Sequence, residues 1–468
     1  MRRGTMKFAA LAILLGVLPL FTLGASQTNS STALFWRRDN SADAKFDKVS
    51  LAKVLSRLAA ETGWKILVDP GANETVSVQF KNASHAEALR LIFGKLSYAL
   101  VPQSGGGARL YVYREKMRDA TRLVEPDGRP KNWLGRELIL SLAPGSKLDV
   151  DELAAELGGK VVAKADGLNA YRVEFPDEET AQMARERIAA REDVAYHDNY
   201  EFDRPALAST SGPSMESLFP IDPNPVNRGD QITVALVDTP IQPLDGKAGQ
   251  FILQPIHIKD APGELSADPT HATSMAYTLL NSMAFAGDDA AKAKLGNVRI
   301  QPIDIYGSSS STTTFEVAQG LHKAINSGAQ VINLSLGGTG QSPMVDYLLE
   351  QAAKKQILVF ASAGNSPTMD FTYPAANPYT IAVTATDWQG NIASYANRGS
   401  FVDVKAPGTS RINYRGQAYI STGTSTATAY MSGQAAAYSA MGMNASQTTS
   451  FIMQRYGMNS AASRSLGR

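Results

Sequence analysis

The sequence predicts an α/β protein whose C-terminal half is a parallel sheet with helices on both faces, preceded by two small α+β domains. Three observations predict it. After about residue 215, short wholly apolar runs alternate with helix-period segments, the pattern of strands buried on both faces of a parallel sheet. Ahead of that region, residues 45–114 and 133–203 each alternate helix and strand patterns over a much shorter length. A chain of 468 residues also exceeds one ordinary core, since domains run to roughly 100 to 200 residues.

Composition narrows the function classes. Hydrophobic residues make up 44% and charged residues 19%, ordinary globular usage that excludes wholesale disorder and a collagen-like fibre. A net charge of +1 leaves no electrostatic footprint for nucleic acid. There is no cysteine, so disulfides, a thiol nucleophile and thiolate metal sites are excluded. Covalent catalysis must use another nucleophile.

Residues 1–25 read as a secretory signal: Arg2, Arg3 and Lys7 precede an apolar run from Phe8 to Leu23, and the small residues Gly24, Ala25 and Ser26 follow. The run is shorter than the roughly 20 residues that span a bilayer, and no later segment is long and apolar enough, so no membrane span is expected after its removal.

In residues 45–114, Leu51, Val54, Leu55, Leu58 and Ala59 recur with helical period behind an N-cap at Ser50. Strand patterns at Lys65–Asp69 and Val76–Phe80 follow, then a helix opened by Ser84 with Glu87 three residues on, and a β-prone run Arg109–Tyr113. The string FDKVSLAKVLSRLAAETGWKILVDP, with SHAEALRLIFGKLSYAL behind it, resembles the N-terminal domain of secretins and TonB-dependent receptors. That resemblance implies a protein-interaction module with an envelope partner, in an exported protein, periplasmic or secreted, of a two-membrane bacterium.

Residues 133–203 repeat the architecture: strands at Glu137–Leu142, Lys160–Lys164, Tyr171–Phe175 and Val194–Tyr196, with helices at Val150–Leu157 and Glu178–Ala190. The unit resembles the ferredoxin-like pro-domain of subtilisin-like proteases, which implies a folding aid that occupies the active-site cleft. Residues 204–225, rich in Ser, Pro and Ala, read as a linker and processing region.

In the last domain, 215–468, strands are expected at Ile232–Val237, Val298–Ile305, Val331–Leu334, Ile357–Ala361 and Thr380–Val383, with helices including Phe315–Ser327 and Met344–Lys355. Function in such sheets gathers at the carboxyl ends of the strands. Asp238 directly follows ITVALV, His271 stands near a helix start, and Ser425 lies after Gly423 at the opening of a small-residue helix. Singly, each is more often a cap or turn residue.

Together, VALVDTPI, HATSMA, VINLSLGG, FASAGN and GTSTATAYMSG, in that order and at these intervals, resemble the subtilisin-like serine proteases. The resemblance implies a triad of Asp238, His271 and Ser425, with Asn365 in the oxyanion hole. It also implies a substrate-pairing edge at Ser335, Leu336 and Gly337, and a specificity-pocket wall at Ala361, Ser362, Ala363 and Gly364. In that reading His271 takes the Ser425 proton as Oγ attacks a peptide carbonyl, and Asp238 holds the imidazole. The base must be neutral, so hydrolysis is expected to fall in mild acid. The implied activity is that of an exported endopeptidase made as a pro-enzyme, acting on protein or peptide through an acyl-enzyme.

The family pattern breaks in three places. Pro240 stands where glycine usually follows the aspartate's neighbour, His271 is followed by Ala272, Thr273 and Ser274 instead of Gly-Thr-His, and Ala429 replaces proline. These changes favour the alternative, a protease-like binding or scaffold protein of the envelope with little turnover. No cofactor is required by the chemistry; structural calcium, common in the family, stays open because no EF-hand spacing or histidine cluster marks a site.

Overall fold

The computed structural model describes residues 33–458, apart from 38–39, 63, 70, 73, 103–107, 121, 125–131, 166, 214–219, 226–228, 264 and 287–292. The expected signal at residues 1–25 lies outside the described residues.

The first unit comprises β1 (Ala33–Trp36), β2 (Ser41–Ser50), α1 (Leu51–Thr62), β3 (Lys65–Val68), β4 (Thr75–Ser84), α2 (His85–Phe93), β5 (Ser97–Pro102), β6 (Ala108–Tyr113) and β7 (Arg122–Val124). Two sheets form, ordered β1-β2-β4 and β5-β6-β3-β7. The helical-period residues Leu51, Val54, Leu55 and Leu58 are buried against Ile66, Val68, Leu110 and Val112. Ser84 accepts the N–H of Glu87 at the start of α2, as its spacing predicts. The expected bounds, 45–114, are too narrow at both ends: β1, the start of β2, and β7 all join these sheets. The buried face of β2 begins with Ala42 and Ala44, weakly apolar residues that leave little strand signal.

The second unit is β8 (Trp133–Leu142), α3 (Val150–Glu156), β9 (Lys160–Ala165), β10 (Ala170–Glu174), α4 (Glu178–Ala189) and β11 (Val194–Asp203). Its antiparallel order β11-β8-β10-β9 is the ferredoxin-like arrangement. Asp149 and Asp177 cap the two helices, which close over Leu138, Leu140, Val173 and Phe175. A short strand, β12 (Ser209–Pro213), follows.

The third unit contains β13 (Ile232–Asp238), β14 (Ile256–His257), α5 (His271–Ala284), β15 (Val298–Asp304), β16 (Ser311–Thr313), α6 (Thr314–Asn326), β17 (Val331–Leu334), α7 (Pro343–Lys354), β18 (Leu358–Ser362), β19 (Ile381–Thr386), β20 (Val404–Pro407), β21 (Thr409–Tyr414), β22 (Gln417–Thr422), α8 (Thr424–Ala440) and α9 (Ala445–Tyr456). Its seven-stranded parallel sheet runs β14-β15-β13-β17-β18-β19-β20. Alternation along β13 divides the core: Val234 and Leu236 pack with α5 and α8 on one face, Ala235 and Val237 with α6 and α7 on the other.

Two findings correct the expected boundaries. The last strand of the second unit does not stop at Tyr196; it continues to Asp203 and pairs antiparallel with β16, Phe202 opposite Thr312. Residues 204–225 are likewise not a plain linker, because β12 pairs with β22 and Ile221 is buried in the sheet's core. Strand β12, with the sequence STSGP, shows no apolar alternation, and its backbone ladder to β22 holds it. The interface also has side-chain anchors: Asn199 accepts the Phe315 N–H at 3.2 Å, helping to cap α6, and Arg172 reaches Glu316 at 3.0 Å.

Candidate active site

Asp238 is the last residue of β13 and His271 the first of α5. Thr270 caps that helix through the Thr273 N–H, and the cap fixes where the imidazole leaves the backbone. Nδ1 of His271 lies 2.8 and 2.9 Å from the two carboxylate oxygens of Asp238. The residues are 5% and 2% exposed, so water competes little for this bond. The contact assigns a proton to Nδ1 and leaves Nε2 as the basic nitrogen.

Ser425 is the second residue of α8, which starts directly after Gly423. Its N–H is among those a helix start leaves without an intrahelical acceptor. Ser425 Oγ donates to the Ser335 carbonyl at 3.1 Å, and Ser335 Oγ donates back to the Ser425 carbonyl at 3.2 Å. Ser335 follows β17, the neighbour of β13, so serine and histidine–aspartate pair occupy adjoining strand ends. Among the described residues, no hydrogen bond joins Ser425 Oγ to His271. Apo sites are commonly looser than the reacting complex.

Asn365 is exposed, and its side-chain oxygen accepts from the Thr424 N–H at 2.9 Å and from the Thr424 hydroxyl at 3.0 Å. With the carbonyl end occupied, the amide NH₂ is the end left to donate. Gly423, at φ 149°, lets this happen: a Cβ there would stand 3.3 Å from Asn365 Nδ2.

The other candidate binding residues divide. Gly337 is exposed, whereas Ser335 and Leu336 are buried, and the Leu336 carbonyl accepts from Ser362 Oγ at 3.3 Å. Ala361, Ser362 and Ala363 are buried; Gly364 is half-buried, with its N–H donating to Thr424 Oγ1 at 3.2 Å. Among the described residues, no cluster of three or more His, Asp or Glu side chains is placed to hold a metal ion.

Several positioning residues escape a sequence reading. Thr239 donates its N–H to Asp238 and accepts the Ala272 N–H at 3.0 Å, while Gln242 bonds Thr270 and Thr273. This network ties the loop holding Pro240 to the helix bearing His271. Ala272 and Ala429 are fully buried, so these departures from the family pattern are packed into the core. Gly433 brings α8 against α5: a Cβ there would lie 2.0 Å from Ser282 Oγ and 2.3 Å from the Leu279 carbonyl. A string of alanines and hydroxyls in α8 was the available signal for such close packing.

A doubly covered parallel sheet, with a buried Asp–His pair and a helix-start serine along one edge, defines the class of subtilisin-like serine endopeptidases. The family model "Subtilase family" matches residues 229–467, more than half of the chain, and the chain belongs to that family. The model "Fervidolysin N-terminal prodomain" matches residues 130–197, so the second unit is a pro-domain. Subtilisin Savinase of Lederbergia lenta is 34% identical over 218 residues, 44% of this chain and 76% of that protein. Thermitase of Thermoactinomyces vulgaris is 33% identical over 48% of this chain and 81% of its own length. Against the alkaline protease of Alkalihalobacillus alcalophilus, identity is 33% over 44% of this chain, and the match spans about half of that relative, 54%.

Proposed function

We propose that the protein is an exported serine endopeptidase, made as a pro-enzyme, that cleaves polypeptides through Ser425, His271 and Asp238. The observation that carries this is the buried double contact of His271 Nδ1 with Asp238, 2.8 and 2.9 Å, beside the strand end that holds Ser425. A substrate backbone entering the cleft displaces Ser425 Oγ from the Ser335 carbonyl toward His271 Nε2. The imidazole takes the hydroxyl proton as Oγ bonds to the scissile carbonyl carbon, and Asp238 stabilises the imidazolium. Negative charge on the former carbonyl oxygen meets the Asn365 amide and the Ser425 N–H. His271 then protonates the leaving amine, the C–N bond breaks, and water resolves the acyl-enzyme by the reverse proton path.

No cofactor enters these steps. The first unit is read as an envelope interaction module of the secretin and TonB-receptor type, which places the protein in the periplasm or outside a two-membrane cell. Its compact α+β build supports that reading.

The test compares the chain with Ser425→Ala, following self-processing by intact mass and hydrolysis of a fluorogenic protein. Loss of both in the variant is expected. A second reading, a protease-like scaffold, is favoured by one observation, the Ser425 hydroxyl engaged by Ser335. Intact and inactive chains in both forms, with no labelling of Ser425 by an organophosphonate, would establish the scaffold.

A further inference from the structure

Beyond the edge where β11 meets β16, the chain places one side chain in a built recess. The Arg204 N–H donates to the Ser310 carbonyl at 2.8 Å. Its guanidinium donates to the carbonyls of Ser309 at 2.7 Å and Gly307 at 3.3 Å. The charged group also lies 5.8 Å from the centre of the Tyr306 ring, and the Tyr306 hydroxyl donates to the Asp203 carbonyl at 3.2 Å. Two carbonyls and an aromatic face suit a planar, forked donor better than an ammonium.

The floor of the recess is held by bonds that do not involve Arg204. Tyr306 is fully buried. The turn beneath it is pinned by Asp304, which accepts the N–H groups of Tyr306 and Gly307 at 2.9 and 2.8 Å. It also adjoins the proposed triad: the Ile305 N–H donates to the Asp238 carbonyl at 3.0 Å, and Asp238 helps to raise the Tyr306 hydroxyl pKa, chiefly set by burial.

The chain's own path gives the recess a direction. From Arg204, residues 205–208 lead to β12, which pairs with β22, the strand that runs into Gly423 and Ser425. Tyr419 of β22 bonds Asp268, three residues before His271. The segment thus joins the Asp238 side of the site to the Ser425 side, and Ala206 and Leu207 on it are exposed.

We infer that this recess is an arginine subsite on the N-terminal side of the bond to be cleaved, filled in the precursor by Arg204. The inference rests on the cleft being a peptide-binding one, and it names a substrate class: polypeptides with an arginine shortly before the scissile bond. Substrates in trans must find the recess vacated, so Arg204 both marks the specificity and blocks it until the pro-domain leaves.

A binding experiment separates this from catalysis. In the full chain carrying Ser425→Ala, adding Arg204→Ala is expected to raise hydrogen exchange about tenfold at the amides of residues 307–311. Millimolar N-acetyl-arginine methylamide restores protection there, its citrulline counterpart does not, and Arg204→Lys gives an intermediate rate. Unchanged exchange, or equal rescue by the citrulline compound, would overturn the subsite. With the self-processed wild type, peptides with arginine are expected to show at least tenfold higher kcat/KM than citrulline peptides. Absence of all hydrolysis alongside arginine-specific rescue would sink the peptidase reading and leave the subsite standing.

Discussion

Two histidine–aspartate pairs stand side by side at one sheet edge, for Asp238 and Asp304 are register partners on β13 and β15. His271 meets Asp238 at 2.8 Å, and His257 meets Asp304 at 2.9 Å. Their surroundings differ. His271 opens a buried helix and uses its carboxylate's two oxygens, whereas His257 sits on the edge strand β14 with its side chain 31% exposed. Asp304 spends its other oxygen on the N–H groups of Tyr306 and Gly307, so that pair holds a turn. Identical residue pairs therefore do different work according to what else the carboxylate must satisfy.

The largest expected effect tests that contrast directly. Asp238→Asn is expected to lower kcat about 10⁴-fold, the magnitude measured for the corresponding change in another serine protease, because the amide favours the wrong imidazole tautomer. Asp304→Asn should leave kcat within about tenfold, with increased hydrogen exchange at 304–307. Equal losses of kcat in the two variants would erase the distinction. A smaller effect is expected at the oxyanion: Asn365→Ala should cost about 10² to 10³ in kcat, with KM little changed, a magnitude taken from subtilisin, a relative of this chain. A loss confined to KM would assign Asn365 to ground-state binding.

The helix contact beneath the first pair supplies a further test. Gly433→Ala must push α8 from α5, which carry Ser425 and His271 respectively, and a shift of about 1 Å can cost about 10²-fold in rate. The second pair lies on neither helix, so exchange at 304–307 should not change. Activity within twofold of the parent would show that the helices accommodate the methyl.

Much of this arrangement is legible in the sequence, and the rest is hidden for identifiable reasons. Asp238, His271 and Ser425 fall at a strand end and two helix starts because apolar runs and cap residues mark those boundaries. Alternating apolar and polar residues likewise mark the pro-domain. Strands β12 and β16 are short and rich in Ser and Thr, and backbone pairing creates them. The Arg204 recess is made of carbonyls, which no side-chain motif reports. The departures at Ala272 and Ala429 could be weighed only once their burial was known.

A third histidine sharpens the comparison by lacking a carboxylate. His197 on β11 bonds the Ser141 hydroxyl through Nε2 at 2.8 Å, and its Nδ1 is buried without a partner among the described residues. Burial pushes its pKa down to about 4, with nearby Asp198 opposing weakly. In the unfolded chain the same imidazole titrates near 6.5. The folded state therefore binds fewer protons in this window, so its contribution to stability is complete above about pH 6.5 and is lost as pH falls toward 4. Glu137 in the same sheet acts in the opposite sense. Burial raises its pKa, and the stability it contributes is lost as pH rises through that raised value. In the Ser425→Ala chain, protection factors across residues 133–203, corrected for the intrinsic pH dependence of amide exchange, should fall between pH 6.5 and 4.5. His197→Gln, which keeps a polar side chain and cannot titrate, should flatten that dependence by removing the histidine's share. An unchanged slope in that variant would mean that the buried imidazole does not govern pro-domain stability in acid.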